Sequence, residues 1–158
     1  MRIRRAMKGD LAEIEKVAGA AYWETYRSLV GPAAISEMIH REYSPASLKR
    51  RLLSGGVLVA EDAAGKVVGF AHARVAGDHV ELAAISTEPG HRRRGVAGAL
   101  VRAVRGQRPD LPICADVLLG NLDAESFYES LGFAPGEIIQ HRLQAEPVVA
   151  RRWWCSPA

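Results

Sequence analysis

The chain has 158 residues, 48% of them hydrophobic and 25% charged, which is enough for one domain, residues 1–158, that buries its core without disulfides or a structural metal. Its 21 basic and 18 acidic residues leave a net charge of +3. That charge suits a small polyanionic ligand and falls short of the concentrated basic face expected of a dedicated nucleic-acid binder.

Arg2 to Ala6 reads as a short strand. Asp10 then offers a helix N-cap with Glu13 three residues on, a capping-box arrangement. Leu11, Ile14, Val17, Ala18, Ala21 and Tyr22 follow at helical spacing. Gly31-Pro32 starts a second helix carrying Ile35, Met38 and Ile39, and Ser44-Pro45 a third with Leu48, Leu52 and Leu53. Strands are predicted over Val57 to Glu61 and Val67 to Val75, joined through Asp62-Ala-Ala-Gly65 as a hairpin. A further strand runs from Val80 to Thr87. A helix over Val96 to Arg105, a strand over Ile113 to Leu118 and a helix over Leu122 to Leu131 follow, the last closed by Gly132. Two strands, Ile138 to Leu143 and Pro147 to Trp154, end the chain. The order predicts an α/β domain with a mixed sheet and helices on both faces.

Cys114 and Cys155 stand apart from each other and from any His pair, so neither metal nor redox chemistry is indicated, and Cys114 reads as a buried small hydrophobe. Met1 to Lys8 is charged where a signal peptide needs an apolar core, and no stretch approaches about 18 continuous apolar residues. The expected setting is the cytoplasm, with no membrane partner.

Chemistry concentrates in Ile85-Ser-Thr-Glu-Pro-Gly-His-Arg-Arg-Arg-Gly-Val-Ala-Gly98, a strand end, a tight turn and a helix start built around bare backbone. A small-residue loop feeding a helix N-terminus is an anion site, because the first amides of the helix lack partners within it. The spacing Arg92-x-x-Gly95-x-Ala97 is neither a dinucleotide fingerprint nor a P-loop. It resembles the pyrophosphate-binding signature R/Q-x-x-G-x-G/A of the GNAT superfamily of acyl-CoA-dependent N-acyltransferases. Downstream, Asn121-Leu-Asp-Ala-Glu-Ser-Phe-Tyr-Glu-Ser-Leu-Gly-Phe133 is similar to that family's N-x-x-A-x-x-F-Y-x-x-x-G-F block. The two in order extend the resemblance over nearly the whole chain. It implies a GNAT fold: a mixed, mostly antiparallel sheet of six or seven strands with helices on both faces. It also implies that the strands at 80–87 and 113–118 splay apart around the cofactor's pantetheine arm.

On that resemblance, the amides of Arg93, Arg94, Gly95, Val96, Ala97 and Gly98 cradle the pyrophosphate of acetyl-CoA, with Arg92, Arg93 and Arg94 dividing between phosphates and water. The backbone of Ile85, Ser86 and Thr87 meets the pantetheine amides like an added strand. Thr87 stands where the family usually has Val. Tyr128 is the candidate general acid: a phenol near 10 can protonate a thiolate whose own value is near 8.5. The alternative reading of Phe127, Tyr128 and Leu131 is a helix core face. Asn121 either caps its helix or touches the cofactor.

Glu81 is the first candidate for general base, with His72 and His79 as alternatives. By alternation Glu81 shares a face with His79, Ala83 and Ile85, unless a β-bulge resets the register. Tyr22, Trp23 and Tyr26, with Glu24, form one candidate wall for the amine acceptor, or are core and rim. Trp153 and Trp154 either pack the last strand or line a homodimer contact. The function implied is transfer of an acetyl group to a primary amine by direct attack in a ternary complex, with no metal. The rival is a GNAT-fold module that binds or senses acyl-CoA without turnover. A nucleic-acid-binding role wants aromatics interleaved with the basic cluster, and Arg92–Arg94 has none nearby.

Overall fold

In the computed structural model, which describes residues 1–143 and 146–157, the predicted strands and helices occur in the predicted order. Strand β1 (Arg2–Arg5) leads into helices α1 (Leu11–Tyr26), α2 (Pro32–Tyr43) and α3 (Pro45–Ser54). Strands β2 (Val57–Glu61), β3 (Val67–Ala76) and β4 (His79–Thr87) follow. Then come α4 (Val96–Gln107), β5 (Ile113–Leu118), α5 (Leu122–Ser130), β6 (Ala134–Leu143) and β7 (Glu146–Cys155). The seven strands form one sheet in the order β1-β2-β3-β4-β5-β7-β6. All neighbours are antiparallel except β4 and β5.

The sheet separates two cores. On one face α4 lays down Val96, Leu100, Val101 and Val104, joined by Ala71, Leu82, Ile113, Ala115, Tyr128 and Phe133. On the other, Ile14, Val17 and Ala18 of α1 pack with Tyr43, Leu48, Val59, Phe70 and Ala84. Each fully buried aliphatic side chain contributes about 1.5–3 kcal/mol. The spacing of the apolar residues therefore decides which side of the sheet each helix covers. Gly69 lets α4 sit close, since a Cβ there would stand 2.7 Å from Val96 Cγ1.

Helix starts follow the sequence signals in two cases of three. Pro32 and Pro45 occupy first-turn positions, and Ser44 Oγ accepts from the Ser47 amide at 3.3 Å. The capping box expected of Asp10 and Glu13 is not formed. Asp10 ends a short 3-10 turn, accepts from the Met7 amide (2.7 Å) and binds both terminal nitrogens of Arg4 (2.8 and 2.9 Å). The Glu13 carboxylate instead accepts from the Val67 amide at 2.9 Å. A charged partner on β1 and an open strand amide on β3 outcompete the local cap, because hydrogen bonds to ionised groups are the stronger ones.

β6 begins four residues earlier than the sequence suggests, at Ala134. The added residues include Pro135 and Gly136; β6 is an edge strand, and the register shift between Pro135 and Ile138 absorbs them. Trp153 packs into the α4-side core. Trp154 is half-buried and donates from Nε1 to Glu137 at 2.9 Å. Among the described residues no helix is long and apolar enough to cross a membrane.

Candidate active site

β4 and β5 pair only at Val80–Ile113 and Glu81–Cys114. Beyond Glu81 the β4 edge has no strand partner on that side, so the strands part and leave a gap along residues 83–87. The first strand pairs set the apex of the gap, and Glu81 stands at it. Ile85, Ser86 and Thr87 lie along this open edge, held from behind by their pairing with Ala71, Phe70 and Gly69 of β3.

At the far end of β4 the chain turns through residues 88–95 into α4. Arg93 takes φ +62° and Gly95 φ +79°. Left-handed residues two apart turn successive amides toward one concavity, a main-chain arrangement that favours anions. The position a Cβ would take on Gly95 meets nothing within 4 Å. The space in front of the loop is open, and any side chain at 95 would both occupy it and strain the backbone. A Cβ on Gly98 would stand 3.3 Å from Arg102 Nη1. Arg92, Arg93 and Arg94 are all exposed. Arg92 Nη2 donates to Thr25 Oγ1 on α1 at 3.2 Å. The loop thus fits a pyrophosphate: open amides, a helix start and nearby cations.

Tyr128 is buried, its ring edge-on to Phe127 (5.0 Å between centroids) and tilted against Phe133 (5.1 Å). Burial pushes its phenol well above the ordinary value, with Tyr26 and Asp116 adding to the effect. The core-face reading of Tyr128 is met, and its phenol stays protonated. Asn121 serves as the N-cap of α5, its Oδ1 accepting from the Ala124 amide at 3.3 Å.

Glu81 does not share a face with Ala83 and Ile85. The register slips between His72–Ala84 and Ala73–Leu82, which makes Ala83 an extra residue in β4. Leu82 and Ile85 turn to the α4 side, and Ala84 to the α1 side. Glu81 sits with Arg74, its partner in the ladder, whose Nε donates to Oε2 at 2.8 Å. That guanidinium holds the Glu81 carboxyl below the usual carboxylate range. Next to it, Arg152 on β7 grips Asp116 on β5 with two contacts, 2.7 and 3.0 Å. Burial pushes the Cys114 thiol, opposite Glu81, up to about 11, in keeping with an inert small hydrophobe.

His72 is packed against a cation on α3 rather than against Glu81. Arg51 Nη1 donates to its Nδ1 at 2.7 Å, and burial together with that cation lowers its pKa to about 4. His79 remains near Glu81, with Nε2 3.5 Å from Oε1.

The aromatic wall divides in two. Phe70, Tyr43, Tyr22 and Tyr26 form a run of edge-to-face contacts at 5.1–5.6 Å, and the Tyr22 and Tyr43 hydroxyls are 3.0 Å apart. Trp23 points the other way and is 41% exposed. A groove of about 410 Å³ between α1 and residues 64–67, edged by Glu13, Lys16 and Glu88, contains none of these groups. The parted strands, with their convergent polar groups, are the better candidate site. Three neighbours of Glu81 escaped sequence reasoning: Arg74, which is 7 residues from Glu81 and adjacent only through the ladder, and the pair Asp116–Arg152, 36 residues apart.

Residues 54–135 match the family model described as an acetyltransferase (GNAT) domain, which is more than half of the chain. The chain belongs to the GNAT acetyltransferase family. Among solved structures it is similar to a GCN5-related N-acetyltransferase from Rhodopseudomonas palustris, at 18% identity and a TM-score of 0.83, covering 98% of this chain and 94% of that one. It is also similar to the PaiA N-acetyltransferase of Thermoplasma acidophilum in complex with coenzyme A, at 19% identity and a TM-score of 0.79, covering 95% and 96%. The ribosomal-protein-S18-alanine N-acetyltransferase of Escherichia coli follows at 19% and 0.68, covering 99% and 94%. At such identities the likeness is one of GNAT fold. No curated protein matches the sequence.

Proposed function

We propose that this GNAT protein transfers an acetyl group from acetyl-CoA to a primary amine by direct attack in a ternary complex. The observation that carries the reading is the parting of β4 and β5 just past Glu81, with the open amide loop 93–98 at one end of the gap. Acetyl-CoA, when bound, supplies the thioester. The loop amides and neighbouring arginines hold its pyrophosphate, and the unpaired edge at 85–87 takes its amide-bearing arm. Glu81 removes a proton from the acceptor ammonium, directly or through one water. Tyr128, kept protonated by burial, donates to the departing thiolate. An alkylammonium near 10.4 leaves only about one molecule in a thousand as free amine at neutral pH, so the base matters most for lysine-like acceptors.

The test is a thermal shift with acetyl-CoA, followed by thiol release with lysine, spermidine and an alanine-initiated peptide. A shift with release from one of them supports the transferase. A shift with no release from any turns the reading to an acyl-CoA-binding module. No shift overturns the cofactor assignment.

A further inference from the structure

Arg102 stands in the second turn of α4, exposed, and makes no hydrogen bond or ion pair with any of the described residues. Side chains of a helix lean back toward its start, and this one reaches the first turn. Its Nη1, Cζ and Nη2 lie 3.3, 3.9 and 3.9 Å from where a Cβ on Gly98 would stand, and no other group lies within 4 Å of that point. Gly98 is buried. The guanidinium therefore covers bare backbone at the start of α4, in a seat that only a glycine leaves open.

That seat is electrostatically unfavourable by itself. A cation at a helix start meets the positive end of the backbone dipole and amides that point the same way. Arg105, in the last turn of the same helix, has the favourable end and donates to the Ser156 carbonyl at 3.2 Å. An anion shared between the first-turn amides and Arg102 removes the conflict. The order of groups along CoA says which anion reaches it. With the amide-bearing arm along 85–87 and the pyrophosphate in front of Gly95, the ribose leaves the loop on the side away from the arm. Gly98 lies about 4.5 Å along the helix from Gly95, at about 1.5 Å per residue. The ribose carries a 3′-phosphate, a monoester with a charge of about −1.5 to −2 at neutral pH.

We propose that Arg102 receives the 3′-phosphate of CoA and is the residue by which this protein distinguishes CoA thioesters from their 3′-dephospho forms. The proposal rests on the loop 93–98 holding the pyrophosphate. Arg93 and Arg94 precede the helix, on the loop itself, and serve the pyrophosphate. Arg102 lies beyond the loop and has no acid of its own to satisfy. Its planar fork gives two parallel N–H donors to two oxygens of a phosphate dianion, a match that an ammonium on a flexible stem lacks.

The experiment is calorimetric titration of the wild type and Arg102→Gln with CoA and with 3′-dephospho-CoA. An exposed, unpaired side chain contributes little to folding, so the melting temperature of the free variant should hold. The wild type should bind CoA about 10-fold or more tighter than 3′-dephospho-CoA, the factor that charge-assisted hydrogen bonds supply. In Arg102→Gln the Kd for CoA should rise by that factor and the Kd for 3′-dephospho-CoA should stay, so that the two ligands bind alike. A wild type that binds both equally overturns the proposal without any variant. So does a variant that keeps the wild-type preference, whether both constants are unchanged or both weaken by one factor; the second result would put the guanidinium on the pyrophosphate. Each of these leaves the cofactor reading standing. A wild type that binds neither ligand overturns both.

Discussion

At the C-terminal end of β4 the candidate groups are main-chain amides, and at its N-terminal end they are side chains drawn from β3, β4, β5 and β7. The first site needs a short, contiguous run: Arg93 and Gly95 with positive φ, an open space in front of Gly95, and α4 starting at Val96. The second needs a ladder that brings Arg74 to Glu81 and Arg152 to Asp116, plus a bulge at Ala83 that decides which way Glu81 faces. Damage to a backbone site removes binding at once, since no neighbour substitutes for an amide that has been blocked. Damage to a side-chain network is graded, because Glu81 and Arg152 each meet more than one charged or polar neighbour. The variants below press on that difference.

The largest effect belongs to the backbone site. Gly95→Glu forces a side chain into φ +79° and sets a carboxylate in the open space where a pyrophosphate would lie. Thermal shift and calorimetry should show acetyl-CoA stabilisation abolished, alongside a stability loss of about 1–2 kcal/mol from the strained backbone. A folded variant with wild-type affinity would move the phosphate site elsewhere.

Next is Tyr128→Phe, which removes one oxygen and keeps the ring packed between Phe127 and Phe133. kcat should drop by about 10²-fold while the Kd for acetyl-CoA and the melting temperature hold. Burial raises the phenol, so the wild-type rate should keep its acid form to a pH above the ordinary phenol range. An alkaline limb unchanged in the variant would assign that limb to another group and leave Tyr128 to the core alone.

The acceptor wall separates by exposure. Tyr26→Ala opens the run Tyr22–Tyr26 and should cost about 3 kcal/mol in denaturant unfolding. Trp23→Ala, on the open side of the same helix, should stay within about 0.5 kcal/mol. If Trp23 meets the acceptor, its loss raises KM for the amine with the acetyl-CoA constant unmoved. An unchanged KM returns Trp23 to the rim.

The same contrast governs how much could be read in advance. The strand and helix order and the loop 92–98 were legible, because periodicity and a fixed six-residue spacing carry them. Cys114 as a buried apolar group followed from local context, and of the two readings of Asn121 the cap is the one formed. The face of Glu81 was not legible, since Ala83 is an ordinary strand residue and only the mismatch with β3 makes it a bulge. Nor was the fate of His72, kept neutral by burial and then by Arg51, 21 residues away on α3. Asp10 and Glu13 had the right types for a local cap, yet charged and strand partners from β1 and β3 claimed them.

The smallest effect tests the network by loosening it. Arg74 donates to Glu81 Oε2 and is the first cause of its acidity, yet its own side chain is 64% exposed, so the pair adds little to stability. Arg74→Gln should therefore leave the melting temperature nearly unchanged. The lowered carboxyl should return upward toward the ordinary glutamate range near 4.3. Protonated Glu81 cannot take a proton, so the acidic limb of the pH–rate profile for kcat/KM should move to higher pH in the variant. Above that limb a less acidic carboxylate is the better base, and the plateau should hold or rise slightly. Glu81→Gln in the same assay should abolish the limb. A limb that ignores Arg74 but vanishes with Glu81 would mean that the guanidinium leaves the carboxylate when the amine enters. A limb that ignores both would remove Glu81 from the chemistry, and the base would then have to come from solvent or the amine itself.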